Sequence, residues 1–376
     1  MKRTLAGAGL AALALSALSA CADDSSGSDG LTVKASDSTC EVSATKLQAG
    51  PQTFKVTNNG SKVTEFYVYA EGDRIMGEVE NIGPGLSRDL VVDLGKGTYE
   101  GACKPGMIGD GIRQTITVSG EAAKPLSDSE ELKAAASSYE RYVESQTSAL
   151  IEKTTEFVDA VKAGKVDEAK KLFPVARTYW ERIEPVAEIF GDLDPITDGR
   201  EPDAIAEGVD FTGWHRIEKQ LWVENNTEGM DKYADQLLDN VKEVVKLSKE
   251  QPLTALQLAQ GSKGLLDEVA TGKITGEEDE FSHTDLWDFK ANIEGSQAAI
   301  AALRPVLEKQ DPDLVEQLDT EFAALDKELN QYQDTTTGDW TFYDELTPDQ
   351  IKKLSDAVAA LSEPISKVAA VVAQSA

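Results

Sequence analysis

Between residues 31 and 118 apolar and polar positions alternate in short runs separated by turn residues. Thr53-Phe54-Lys55-Val56-Thr57 leads into Asn58-Asn59-Gly60 and then Glu65-Phe66-Tyr67-Val68-Tyr69, and further runs cover 90–94, 97–103 and 114–118. Successive side chains of a strand point to opposite faces, so this pattern predicts several short strands forming a β-sandwich of about 90 residues over 31–119. Near Gly120 the pattern changes. Residues 120–127, with Pro125, read as a linker, and beyond them apolar positions recur at the helical period. Ser127 and Glu130 form a capping-box pair for a helix that runs toward Ala163, where Gly164 stops it. A second helix is predicted over 167–190, kinked near Pro174 and closed by Gly191. Others follow over 211–223, 232–250, 254–271, 284–309, 312–331 and 348–373, the last opened by the capping box Thr347-Pro348-Asp349-Gln350. Residues 128–376 therefore read as an all-α bundle of about 250 residues, giving a multidomain chain that is all-β and then all-α.

Two connections in the bundle are unusual. Residues 191–210 are long, acidic and contain Pro, and 272–282 hold Glu277-Glu278-Asp279-Glu280. Each leads into a helix carrying one of the chain's two histidines, His215 and His283. Loops of this length inside a bundle are usually functional or mobile.

The first residues follow neither period. Lys2 and Arg3 precede a run rich in Leu, Ala, Gly and Ser that ends in Leu18-Ser19-Ala20-Cys21, which predicts an export signal over 1–20. That ending resembles a lipobox, which implies a lipidated Cys21, a flexible tether over 21–30 and anchorage to the outer face of the cell membrane. Acidic residues number 67 against 37 basic, a net charge of −30. Such a surface repels phosphate backbones and argues against nucleic acid as a partner, while it either favours solubility or concentrates cations. In an oxidising compartment Cys40 and Cys103 either pair as a disulfide or supply thiolates to a site with Glu65, Glu100 and Met76 or Met107. A blue-copper centre of two histidines and a cysteine cannot form within the β domain, because no histidine precedes His215.

The strongest chemical signal lies in Gly213-Trp214-His215-Arg216-Ile217-Glu218. An imidazole and a carboxylate three residues apart share one helix face, the spacing by which bundles present nitrogen and oxygen to iron or zinc. Arg177, Glu181, Glu184 and Glu188 share a face of the predicted second helix, and carboxylates so placed repel unless solvated or holding a cation. Asp285, Asp288 and Asn292 form a third polar face after His283, which either lines a site or serves as scaffold. HExxH, GxSxG and phosphate-binding Gly loops are absent.

Together these features resemble the EfeO family of iron-uptake lipoproteins, over essentially the whole mature chain. The likeness is carried by Thr39-Cys40-Glu41, Thr64-Glu65-Phe66 and residues 99–103, then by RTYWERIEPV over 177–186, GWHRIE over 213–218 and SHTDLWDFKAN over 282–292. It implies a cupredoxin-like sandwich followed by an imelysin-like bundle. The implied activity is metal reception outside the cytoplasm, with a membrane iron permease and a haem-peroxidase-like partner. His215 and Glu218 fall on the family's HxxE motif, Glu181 and Glu184 face them, Arg177 supports them from outside, and Asp285 and Asp288 complete the set. Iron as Fe2+ or Fe3+ is the implied ligand, with zinc an alternative and copper a further expectation for the first domain. The rival expectation is a zinc-dependent peptidase of the imelysin type.

Overall fold

The computed structural model describes residues 30–72, 74–120, 129–191 and 193–375, without the side chains of Glu188 and Glu207. The expected export signal over 1–20, Cys21, the expected tether up to residue 29 and residues 121–128 of the expected linker, including Ser127, lie outside the described residues, as does the expected contribution of Glu188.

The first domain holds β1 (Leu31–Ala35), β2 (Cys40–Val42), β3 (Lys46–Gln48), β4 (Gly50–Asn58), β5 (Thr64–Tyr69), β6 (Ile75–Ile82), β7 (Ser87–Leu94), β8 (Gly97–Pro105) and β9 (Ile112–Ser119). They form two sheets, ordered β2-β1-β4-β7 and β3-β9-β8-β5-β6. The alternation read in the sequence is the reason they face each other. Phe54, Val56, Leu90 and Val92 from one sheet pack with Phe66, Val68, Cys103 and Ile116 from the other. A disulfide joins Cys40 on β2 to Cys103 on β8 and so ties the sheets together, closing a 63-residue separation. The thiolate site held open as the other use of these cysteines is thereby replaced by a covalent bridge.

The second domain is helical: α1 (Glu130–Lys162), α2 (Val166–Glu181), α3 (Leu193–Asp198), α4 (Glu201–Glu207), α5 (Gly213–Trp222), α6 (Asp231–Glu250), α7 (Ala255–Thr271), α8 (Asp285–Gln310), α9 (Pro312–Leu329) and α10 (Pro348–Ala373). Leu132, Tyr139, Val143, Leu150, Phe157 and Val161 line the buried stripe of α1, which packs on α2, α6 and α8. Ser129 caps α1 by accepting from the Leu132 amide. Thr347 and Gln350 form the expected capping box on α10, which packs between α7 and α9.

Two expectations need correction. The second helix does not reach residue 190: α2 stops at Glu181, and 184–190 continue as a 3-10 segment. Pro185 is the cause, since it lacks an amide donor and biases Glu184 away from α geometry. Gly261 on α7 lies directly against this segment, where an added Cβ would stand 1.6 Å from the Pro185 carbonyl oxygen. Residues 191–210, in turn, are not an open loop, since they fold into α3 and α4.

The domains meet where α7 packs against β6 and β7 and α10 against β7. Arg88 pairs with Asp267, and Gln260 donates to the Val91 carbonyl. Between the domains runs a cleft of about 1790 Å³, lined by Glu65, Tyr67, Glu80 and Lys104 on the sheet side and by Glu184, Asp194, Lys273 and Glu278 on the helical side. Among the described residues no helix is long and apolar enough to cross a membrane.

Candidate metal centre

Helix α5 begins at Gly213, whose φ of +72° and whose contact with α3 both exclude a side chain: a Cβ there would lie 2.0 Å from the Thr197 carbonyl oxygen. This close approach brings α5 beside Asp198, the last residue of α3. Trp214 packs on Phe157 and Phe173 in the bundle core and fixes the rotation of α5. His215 and Glu218 then share one face, as their spacing predicts, and both are removed from water at 1% and 0% exposure. His215 Nδ1 lies 2.9 Å from Glu218 Oε2, while Glu218 Oε1 accepts from the amides of Phe281, at 3.1 Å, and Ser282, at 2.7 Å. His215 Nε2 lies 3.3 Å from Asp198 Oδ1 and 3.8 Å from Glu278 Oε1, and it has no hydrogen-bond partner.

Around the imidazole, carboxylates outnumber cations. Arg177 of α2 is fully buried; its Nε donates to Asp288 at 2.9 Å and its Nη2 to Glu181 at 2.5 Å and Glu278 at 3.1 Å. Its Nη1 bonds Asp198, and Asp279 lies 3.4 Å from Nε. The other buried cation, Lys273, bonds Glu181 at 2.8 Å and both oxygens of Glu184 at 2.8 and 2.9 Å, with Glu278 at 3.6 Å. Asn292 donates to Glu181 and Glu184, so these two meet although they no longer share a helix.

Burial and charge act against each other here. Burial would raise Glu278, but Lys273, His215 and Arg177 outweigh it and hold its pKa well below the usual carboxylate range. Asp198 is lowered too, because Arg177 and His215 overcome its desolvation. Burial prevails at Asp279, Asp288 and Glu184, whose pKa values are pushed well up despite the nearby cations. Burial and Arg177 both oppose a charge on His215, yet the carboxylates of Asp198, Glu218 and Glu278 outweigh them and hold its pKa well above the ordinary histidine value.

Three sets of donor atoms, each within 4.8 Å of one another, have the make-up of a cation site: Asp198, His215 and Glu278; His215, Glu218 and Asp279; and Glu181, Glu278 and Asp288. The third already surrounds Arg177. One imidazole nitrogen among carboxylate oxygens suits iron and zinc. The His215 Nε2, without a formed hydrogen bond and facing Asp198 and Glu278, is the position at which a cation would be satisfied by the residues present.

His215, Glu218, Glu181, Glu184, Arg177 and Asp288 thus join one network. Arg177 stands at its centre, bonding the carboxylates and offering no donor atom to a metal. Asp285 serves the frame, accepting from the Asp279 amide at 3.3 Å. Asp198, Glu278, Asp279 and Lys273 escaped the sequence reading, although both acidic connections had drawn attention. His283 belongs to none of the three sets and occupies a left-handed turn, with φ of +59°, at the start of α8. Cys40, Glu65, Glu100 and Cys103 do not form a site. Cys103 points into the sandwich core, while Glu65 and Glu100 lie on the other face of that sheet, set against Lys104 and Tyr69. Four residues of strand separate those two registers, about 13 Å. Glu100 pairs with Arg113 at 3.1 Å.

Comparison with known proteins agrees with this architecture. The cupredoxin-like domain family matches residues 8–118 and the imelysin family residues 135–368. Proteins of Escherichia coli K12, Escherichia coli O157:H7 and Shigella flexneri, each named iron uptake system component EfeO, are 38% identical to this chain over 341 residues, which is 89% of it and 89% of each of them. With both domains matched in order and that identity sustained across them, the chain belongs to the EfeO family of iron uptake system components.

Proposed function

We propose that this protein captures iron, as Fe2+ or Fe3+, outside the cytoplasm and delivers it to a membrane iron permease. The observation that carries the reading is His215 Nε2, buried and without a formed hydrogen bond, facing Asp198 and Glu278 within a network of excess carboxylates. Glu184, Lys273 and Glu278 belong to that network and also line the cleft between the domains, which gives an ion a way in. The export signal and Cys21 support a lipid anchor at the outer membrane face, and the relatives' printed names support iron as cargo. Zinc suits the same donors and is the alternative metal. A zinc peptidase would need an open coordination position and a general base within reach of a peptide. The near-complete burial of His215 and Glu218 supports binding over cleavage.

The test is a titration of the full chain with Fe2+ under anaerobic conditions, Fe3+ supplied as citrate, and Zn2+, beside His215→Ala and Glu278→Gln. Binding that weakens strongly in both variants is expected. Unchanged affinity in both removes the site assignment, and metal-dependent peptide cleavage lost in the same variants turns the reading to the peptidase.

A further inference from the structure

We infer that Glu218 is not a ligand of the captured ion but the residue that orients His215, so that the ion meets the imidazole at Nε2, on the side of Asp198 and Glu278. The inference rests on the metal-binding reading above and departs from taking the i, i+3 pair as a chelate. A neutral imidazole carries one proton and one free lone pair, and the hydrogen bond made by one nitrogen decides which role the other plays. Nδ1 lies 2.9 Å from Glu218 Oε2, an oxygen that can only accept when the carboxylate is ionised, so Nδ1 keeps its proton there and Nε2 is the nitrogen that gives up its proton and turns a lone pair to the ion.

The remaining bonds of Glu218 point the same way. Its second oxygen accepts two backbone amides, those of Phe281 and Ser282, in the segment that carries Glu278 and Asp279 a few residues earlier. Ligation through Oε1 would strip two buried amides of their acceptor, and ligation through Oε2 would free Nδ1 to rotate. Either loss leaves a buried polar group unsatisfied, which costs about 1–3 kcal/mol per group. Ligation by Nε2 displaces that atom's own proton and no formed hydrogen bond, and Asp198 keeps a positive neighbour in the ion. Nε2 faces the anionic oxygens of Asp198 at 3.3 Å and Glu278 at 3.8 Å, so a cation that displaces the Nε2 proton meets all three donors. A histidine ligand held through its other nitrogen by a carboxylate is a recurrent arrangement in metal sites. Glu218 here does this and also sets the position of the loop that supplies Glu278. As a positioning residue it ties two of the three donors into one geometry.

Two measurements on the full chain decide the matter, with Zn2+ as the diamagnetic probe. With only two histidines in the chain, 15N-histidine labelling resolves His215 from His283 by loss of one signal in His215→Gln. Zn2+ is expected to move the His215 Nε2 resonance to a metal-bound value while Nδ1 keeps its proton. Affinity is expected to fall by about 10–100-fold in Glu218→Gln, the range for an outer partner of a ligand, and by more in His215→Gln and Glu278→Gln. Zn2+ on Nδ1, or a loss in Glu218→Gln equal to that in Glu278→Gln, overturns the inference and leaves the metal-binding reading intact. Unchanged affinity in all three variants removes the metal-binding reading, and the inference with it. The nitrogen state is read on the unsubstituted protein, and His283→Gln assigns the two signals if His215→Gln does not fold, so a folding defect in one variant leaves the test standing.

Discussion

Replacing Arg177 by Met removes the cation on which the network converges while keeping most of its apolar volume. In the native protein the guanidinium is fully buried and bonds Glu181, Asp198, Glu278 and Asp288, with Asp279 beside it. Without it Glu181 and Asp288 lose a charged partner in a region closed to water, and Asp198 and Glu278 keep only His215 and Lys273. Removing one partner of a buried pair typically costs about 3–5 kcal/mol, because the other charge stays behind uncompensated. For a domain of this size each kcal/mol lowers the melting temperature by about 2–4 °C, so the helical transition in Arg177→Met is expected to fall by about 6–20 °C. The assay is thermal unfolding of the metal-free full chain, followed by far-ultraviolet circular dichroism, at pH 7.5 and at pH 5. The deficit should shrink at pH 5, where the orphaned carboxyls take up protons more cheaply. A deficit below about 1 kcal/mol at pH 7.5, or one that grows on acidification, would refute the view that Arg177 neutralises this cluster.

Other predictions follow from the same geometry. His215, Asp279, Asp288, Glu184 and Asp194, the last raised by burial to about 8, have folded pKa values above their unfolded ones, so their stability contributions are greatest at low pH and are lost as pH rises through the folded values. Glu278 and Asp198, lowered, act in the opposite sense below the ordinary carboxylate range. Metal-free protein should therefore lose melting temperature between pH 5 and 8, with a shallower slope in His215→Gln, and a flat profile would contradict the directions given. Gly213→Ala forces a Cβ into the Thr197 carbonyl at a left-handed φ and should cost about 1–3 kcal/mol or more while weakening Zn2+ binding, both read by calorimetry. Cys40→Ser with Cys103→Ser should destabilise the β domain by about 2–5 kcal/mol and leave the Zn2+ affinity of the helical centre unaltered, whereas a parallel loss of binding would mean that the bridge supports that centre.

The order of an all-β domain and an all-α domain was legible in the chain, because side-chain period is a local property: two along a strand, 3.6 along a helix. The same local regularity put His215 and Glu218 on one face and supplied the capping box of α10. Local reading failed where a single residue or a distant contact intervened. Pro185 ended α2 early and moved Glu184 off the helix of Glu181, yet Lys273 and Asn292 drew the two carboxylates together again. Alternation alone could have placed Cys103 and Glu65 on opposite faces, but only strand pairing fixed that β8 lies beside β5, with Phe66 against Cys103 and Glu65 against Lys104. Asp198, Lys273, Glu278 and Asp279 come from two connections whose acidity was visible but whose destination was not. What the sequence determined was which residues could bind a cation. Which of them face one another was decided by the packing of α5 on α3 at Gly213 and by Glu218 holding the loop before α8, contacts between residues 16 to 64 positions apart that no local pattern encodes.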